Sequence, residues 1–266
     1  MHFAWPVGLT ARVEYQQEGE ARTPQGPESI VFRSSHRMRV EQAQEGIRVV
    51  HDEFLLLPVT SGQGAKSSGN AGPQDPLEPE PSGQVGDLLP DLIVDRTGNL
   101  MRISGIDRLR QEALERMAKG TEQTPDSRAR LERWIAHAIS DAELTERAKR
   151  DWSALVSFWV GARVPAGVTD TPAAGGSAAS RLSVTPRVPC DAGDKSSRCV
   201  RIELESHPAP ELRHTLFLVT EPERLVPHEL RVVAEIHGEV PGPDGKPNKV
   251  DQRDTWGYRF TYASAQ

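Results

Sequence analysis

The residues best equipped for chemistry in this chain are its only two cysteines, Cys190 and Cys199. They flank eight small or polar, turn-forming residues, Asp191 to Arg198. Beyond them Val200, Ile202 and Leu204 alternate with Arg201, Glu203 and Glu205. The pattern is a β-hairpin with a cysteine on each arm, placed so that a disulfide can close it. The spacing excludes a Cys-x₂-Cys zinc half-site, and no second cysteine pair exists. The alternative, two buried free thiols acting as small apolar residues, sits poorly with a connector carrying Asp191, Asp194, Lys195 and Arg198. Closing a loop of about ten residues would contribute about 2.5–3 kcal/mol. A disulfide implies a periplasmic or secreted protein, whereas reduced cysteines would return it to the cytoplasm.

No other constellation makes a reactive centre. Gly62 to Gly69 has the look of a phosphate loop, but Ala65 breaks the required Gly-Lys adjacency. His237 and Glu239 have the His-x-Glu spacing of zinc deaminases without their Cys-x-x-Cys. His228-Glu229 lacks the second histidine of a zincin helix. His207, Glu211 and His214 could meet on a metal, but exposed loop residues are the simpler reading. Asp244, Asn248, Asp251 and Asp254 follow no EF-hand spacing. His51-Asp52-Glu53, between apolar strand positions, is expected to face water. No catalytic residue, metal or cofactor is therefore expected, and the chain reads as non-enzymatic. The aromatic set Trp134, Trp152, Trp159, Trp256, Tyr258 and Phe260 suits a core, or the lining of an apolar pocket between helices and sheet.

The elements that must position these residues fall into two strand blocks around a helical middle. Phe3, Trp5, Val7, Leu9, Ala11, Val13 and Tyr15 alternate with mostly polar or small residues and read as one long strand. It opens a β-meander over 2–60, followed by a Gly/Ser/Pro-rich flexible insert over 61–86. A β-hairpin is expected over 91–104, turning at Gly98-Asn99. Helical spacing runs over 106–161, with starts at Thr124-Pro125 and at Ser140-Asp141-Ala142-Glu143. A loop over 165–180 leads to a second β-meander over 182–263, which ends on Trp256, Tyr258, Phe260 and Tyr262 at strict period two. The whole reads as a single α+β domain: a curved antiparallel β-sheet, half-barrel-like, wrapped around the central helical segment.

Charge and hydropathy narrow the partners. A net charge of −6 over 266 residues, with no basic block, argues against nucleic acid. No apolar run is long enough to span a membrane. The first residues lack the positive region and apolar core of a signal peptide, which sets the opening in tension with export.

Two segments carry a resemblance. Leu92 to Leu100, running into the helix at Ile106, and Cys190 to Leu204 resemble the lipoprotein-carrier type of half-barrel found in bacterial periplasmic proteins, and uncharacterised secreted bacterial domains of that shape. Such carriers commonly open with a helix, whereas this chain opens on a strand pattern, and the insert at 61–86 is a further departure. The resemblance implies an exported, non-enzymatic protein with lipid or another apolar ligand, or an envelope protein, as partner. A scaffolding envelope protein with a filled core is the alternative. A hydrolase whose histidines and acids converge from distant positions is the third reading.

Overall fold

Apolar alternation at period two, which recurs along most of this chain, demands pairing partners, and the chain supplies them within one sheet. The computed structural model describes residues 1–23, 26–57, 88–118, 124–172, 179–191, 197–241 and 247–263. The strands are β1 (Thr10–Thr23), β2 (Gly26–Ala43), β3 (Gly46–Leu56), β4 (Asp91–Asp95), β5 (Leu100–Ser104), β6 (Gly167–Thr171), β7 (Ala179–Val188), β8 (Cys199–Ala209), β9 (Leu212–Thr220), β10 (Pro227–Pro241) and β11 (Pro247–Tyr262). The helices are α1 (Ile106–Ala118), α2 (Pro125–Ala138) and α3 (Asp141–Trp152), and α3 continues into a π-helical turn, Ser153–Ser157.

The strands form one open antiparallel sheet in the order β5-β4-β3-β2-β1-β11-β10-β9-β8-β7-β6. Each half is a meander of sequential neighbours. The halves meet where β1 pairs with β11, from Ala11 opposite Tyr262 to Ala21 opposite Gln252. Register then fixes one apolar face. Val184, Ile202, Leu218, Leu230, Tyr258 and Tyr15 lie side by side across β7, β8, β9, β10, β11 and β1. At Gly257, a Cβ would overlap the Leu230 carbonyl oxygen, so only glycine lets β10 and β11 approach here.

The helices divide between two apolar clusters. Ala148 and Trp152 of α3, with Ala154, Leu155 and Val156 of the π-helical turn, join the main core with side chains from β1–β4 and β7–β11. Leu109, Ala113 and Leu114 of α1 and Ile135 of α2 instead build a second cluster with Phe54 and Leu88. Both expected helix starts hold. Thr124 caps α2 by accepting from the Ser127 amide, and Ser140 caps α3 by accepting from the Glu143 amide. Asp91, wholly buried, ties β3, β4 and α1 together. Its carboxylate receives Arg48 at 2.7 Å, Arg108 at 2.8 Å and the His51 amide at 3.2 Å.

Two expectations change here. The first strand begins at Thr10, not at residue 2, because Pro6 has no amide hydrogen to donate and Gly8 takes φ +88° in a turn closed by Leu9 N–H to the Pro6 carbonyl. Residues 1–9 form an arm rather than a strand. Phe3 and Trp5 are buried, while Val7 is 55% exposed. Within the expected loop over 165–180, β6 pairs with β7 from Gly167–Val184 to Thr171–Ser180. Its β-branched Val168, Thr169 and Thr171 carry strand propensity that the surrounding Gly/Ala-rich composition masks. The expected insert over 61–86 lies outside the described residues.

Candidate ligand cavity

A small cavity of about 50 Å³ lies between the apolar face of the sheet and α3. Its walls come from every layer. Val13 and Met38 stand on β1 and β2, Val49 on β3, Tyr258 and Phe260 on β11, and Trp152 and Leu155 on α3 and its π-helical extension. Trp5 closes it from the N-terminal arm. At about 10–15 Å³ per water, this space holds a few waters, well short of the roughly 150 Å³ that admits benzene.

The arm joins β2 only at its end, where Gly8 N–H donates to Val40 O at 2.8 Å and Leu9 O accepts from Val40 N–H at 2.9 Å, and its first residues bond to turns. Gly161 N–H donates to Met1 O at 2.9 Å, and Ala4 N–H donates to Arg224 O at 3.1 Å. The Trp5 indole donates to Leu225 O at 2.8 Å, and the Trp152 indole to Gly98 O at 2.8 Å. Phe3, Trp5 and Trp152 meet with centroids 5.2–6.0 Å apart, both arm rings standing edge-on to Trp152. The arm and α3 therefore share one aromatic cluster, pinned to two turns through its indoles.

Polar groups are set into this apolar wall. Tyr258 donates its hydroxyl to Asp151 Oδ2 at 2.8 Å. Burial pushes the Asp151 carboxyl above the usual carboxylate range, against the pull of Arg150 and of the Tyr258 hydrogen bond. Burial, then the Asp151 charge, pushes the Tyr258 phenol well up. His36 and His51 also line the cavity, with ring centroids 5.2 Å apart. Burial holds His36 well below the ordinary histidine range, and the neighbouring His51 adds to this. Burial lowers His51 too, opposed by its hydrogen bond with the Pro90 carbonyl at 2.8 Å. Both imidazoles are therefore neutral at neutral pH.

Of the six aromatics singled out from the sequence, Trp152, Tyr258 and Phe260 line the cavity. Trp159 is buried in the same core but turns its indole to Ala154 O at 2.7 Å. Trp134 packs, partly buried, on the second cluster. Trp256 is partly buried on the sheet face, with the Arg150 guanidinium 5.3 Å from its ring centroid. Sequence reasoning missed His36, His51 and Asp151. His51 was expected to face water and is instead buried, because it continues the inward parity of Ile47 and Val49 in the unbroken register from Ala43–Gly46, which sets His51 opposite Met38 on the core face.

The remaining sequence candidates do not gather with the cavity. Cys190 and Cys199 form a disulfide, Cα–Cα 5.1 Å, from just beyond β7 to the start of β8. His207 pairs with Glu205 at 2.9 Å, and His237 with Asp251 at 2.9 Å. His214 is exposed. Asp244 lies outside the described residues, as does the side chain of Asn248. Across the sheet from the cavity, a wider groove of about 340 Å³ surrounds Gly257. Its walls carry Glu14, Glu18 and Glu229 beside Arg33, Arg231 and Arg259, so it has no dominant sign. No family model matches this chain, and no curated protein matches it. Among the described residues, no helix is long and apolar enough to cross a membrane.

Proposed function

We propose that this is a non-enzymatic, exported protein that carries one apolar ligand, such as a lipid acyl chain, against the concave face of a half-barrel sheet curled around α3. The observation that carries the reading is a row of apolar side chains left partly uncovered. Leu182, Leu204, Leu216, Val232 and Trp256 stand in register across β7 to β11, and each is only partly buried. Four interstrand steps of about 4.8 Å make this row about 19 Å long, which suits a long-chain acyl group. Trp256 meets Tyr258 at 6.1 Å, so the row leads to the cavity lined by Trp152. The cavity itself is too small for such a chain, and the row supplies the contact area. Arg150, 61% exposed above Trp256 and paired through Nε with Asp151 at 3.1 Å, places a guanidinium at the end of the row for an anionic headgroup. The disulfide supports a periplasmic or secreted location.

The test is a delipidated preparation incubated with a long-chain fatty acid. A one-to-one adduct in native mass spectrometry and displacement of a fluorescent fatty acid are expected, with Leu216→Asp weakening binding by about tenfold or more. A correctly folded protein showing neither adduct nor displacement would sink the carrier reading and leave a scaffolding protein with a filled core.

One observation favours a second reading, a hydrolase. His36, His51 and Asp151 converge from distant positions on one cavity, and the pKa of each is shifted by burial. That reading requires turnover of an ester or amide substrate that is lost in both His51→Ala and Asp151→Asn.

A further inference from the structure

Away from the cavity, the described residues hold one cluster of three metal-binding side chains. The ligand atoms of Cys190, Cys199 and His228 all lie within 4.8 Å of one another. His228 comes from a bulge in β10: Pro227 and Glu229 oppose the consecutive residues Thr220 and Val219 of β9, and His228 is the extra residue between them. Such bulges re-aim a side chain out of the regular alternation. His228 is 4% exposed, yet neither ring nitrogen has a hydrogen-bond partner. Buried imidazoles are normally satisfied, since a polar atom taken out of water without a hydrogen bond is costly. Tyr262 lies edge-on at 5.1 Å but donates its hydroxyl to Pro227 O. Glu221 Oε1 stands 3.6 Å from His228 Nε2, too far for a hydrogen bond, and is held by Arg198 at 3.3 Å.

We propose that Cys190, Cys199 and His228 form a zinc(II) site that the disulfide keeps closed and that reduction opens. A dithiol reductant supplies two electrons and two protons. The S–S bond breaks to give two thiols, and the reductant becomes its cyclic disulfide. Zinc(II) then forms two Zn–S bonds and one Zn–N bond as the two thiol protons leave to solvent. Glu221 or a water completes the tetrahedron. With Zn–S near 2.3 Å and Zn–N near 2.0–2.1 Å, ligand atoms in such a tetrahedron sit about 3.5–4 Å apart. The two sulfurs, bonded to each other in the oxidised state, must therefore separate on reduction, while the His228 nitrogen, already within 4.8 Å of both, needs to approach by at most about 1 Å. In the oxidised state the sulfurs are bonded to each other and carry no thiolate charge, and His228 is left facing an uncharged pair. A buried imidazole with no hydrogen bond, and with only the Glu221 carboxylate 3.6 Å away, is the signature of this arrangement.

The full chain, reduced with a non-chelating phosphine and titrated anaerobically with cobalt(II), tests this. One cobalt per chain is expected, with thiolate-to-metal charge transfer and tetrahedral d–d bands, and zinc(II) should displace it. The oxidised chain should show neither. His228→Ala should weaken cobalt binding about tenfold or more while circular dichroism reports an unchanged fold. If that variant does not fold, His228→Asn, closer in size, takes its place. If reduction alone unfolds the chain, zinc should restore the fold. A reduced chain that neither binds stoichiometric cobalt nor refolds with zinc overturns the proposal, as does equal binding by the His228 variant.

Discussion

Replacing both cysteines with alanine removes the disulfide without leaving an unsatisfied hydroxyl, and its cost follows from loop length. The cross-link joins residues nine apart in sequence. The chain-entropy relation for a loop of about ten residues gives about 9 cal/mol/K, or about 2.7 kcal/mol at 25 °C. Unfolding entropy of about 2.1 cal/mol/K per residue over 266 residues totals about 0.56 kcal/mol/K. The double variant should therefore melt about 5 °C below the parent. Val188 and Val219 pack on the two sulfurs, so a small loss of burial adds to the entropic cost. Thermal unfolding followed by circular dichroism, with and without reductant, checks the figure. Reductant should lower the parent's midpoint toward that of the variant and leave the variant unmoved. A variant within about 1 °C of the oxidised parent would show that the unfolded chain gains little freedom when the link is cut, and the reasoning would fail.

Four further outcomes follow from the interior. Asp151→Asn keeps an acceptor for Tyr258 and removes a charge that burial disfavours. Because the folded pKa is raised, the parent's advantage is present in acid and fades as pH climbs through that pKa, so the variant should be the more stable at pH 7 and the two should converge near pH 3 in urea titrations. His36 has the opposite sense: its folded pKa lies below 6.5, so stability present above 6.5 drains away as pH falls, and His36→Leu should flatten that limb. Gly257→Ala should cost about 2–3 kcal/mol by overlap with the Leu230 carbonyl, measured as a drop in denaturation midpoint. Asp91→Ala strands Arg48 and Arg108 and should cost about 2–4 kcal/mol, below the fully buried limit because both guanidiniums are partly wet. A loss under about 0.5 kcal/mol would mean that water already satisfies those arginines.

What could be read from the residues was what repeats. The run Trp256, Tyr258, Phe260, Tyr262 announced β11, and the turn chemistry around Gly98 announced the β4–β5 hairpin. Thr124 and Ser140 marked helix starts because capping is local. The cysteine hairpin was equally local, since pairing and staple lie within ten residues. The cavity was legible only in half. Trp152, Tyr258 and Phe260 declared themselves as large apolar groups on a periodic face. His36, His51 and Asp151 did not, because a polar residue at a core position looks the same in sequence as one turned to water. Only the register of β2 against β3, and the reach of α3 to β11 through Asp151 and Tyr258, reveals which it is. The arm was misjudged for a related reason: Phe3 and Trp5 keep strand parity while pairing with turns instead of a neighbouring strand.

The pairing of β1 with β11 has a consequence for how the chain is made. On emergence from the ribosome, β1 can zip to β2 at once, but its other edge has no partner until the last strand is synthesised. For more than two hundred residues of translation that edge offers unpaired amides and carbonyls to any strand nearby, its own siblings on a polysome included. Closing the seam brings together residues from opposite ends of the chain, the slowest kind of contact to find. Such a protein is exposed to mispairing during synthesis, whatever the stability of its finished sheet.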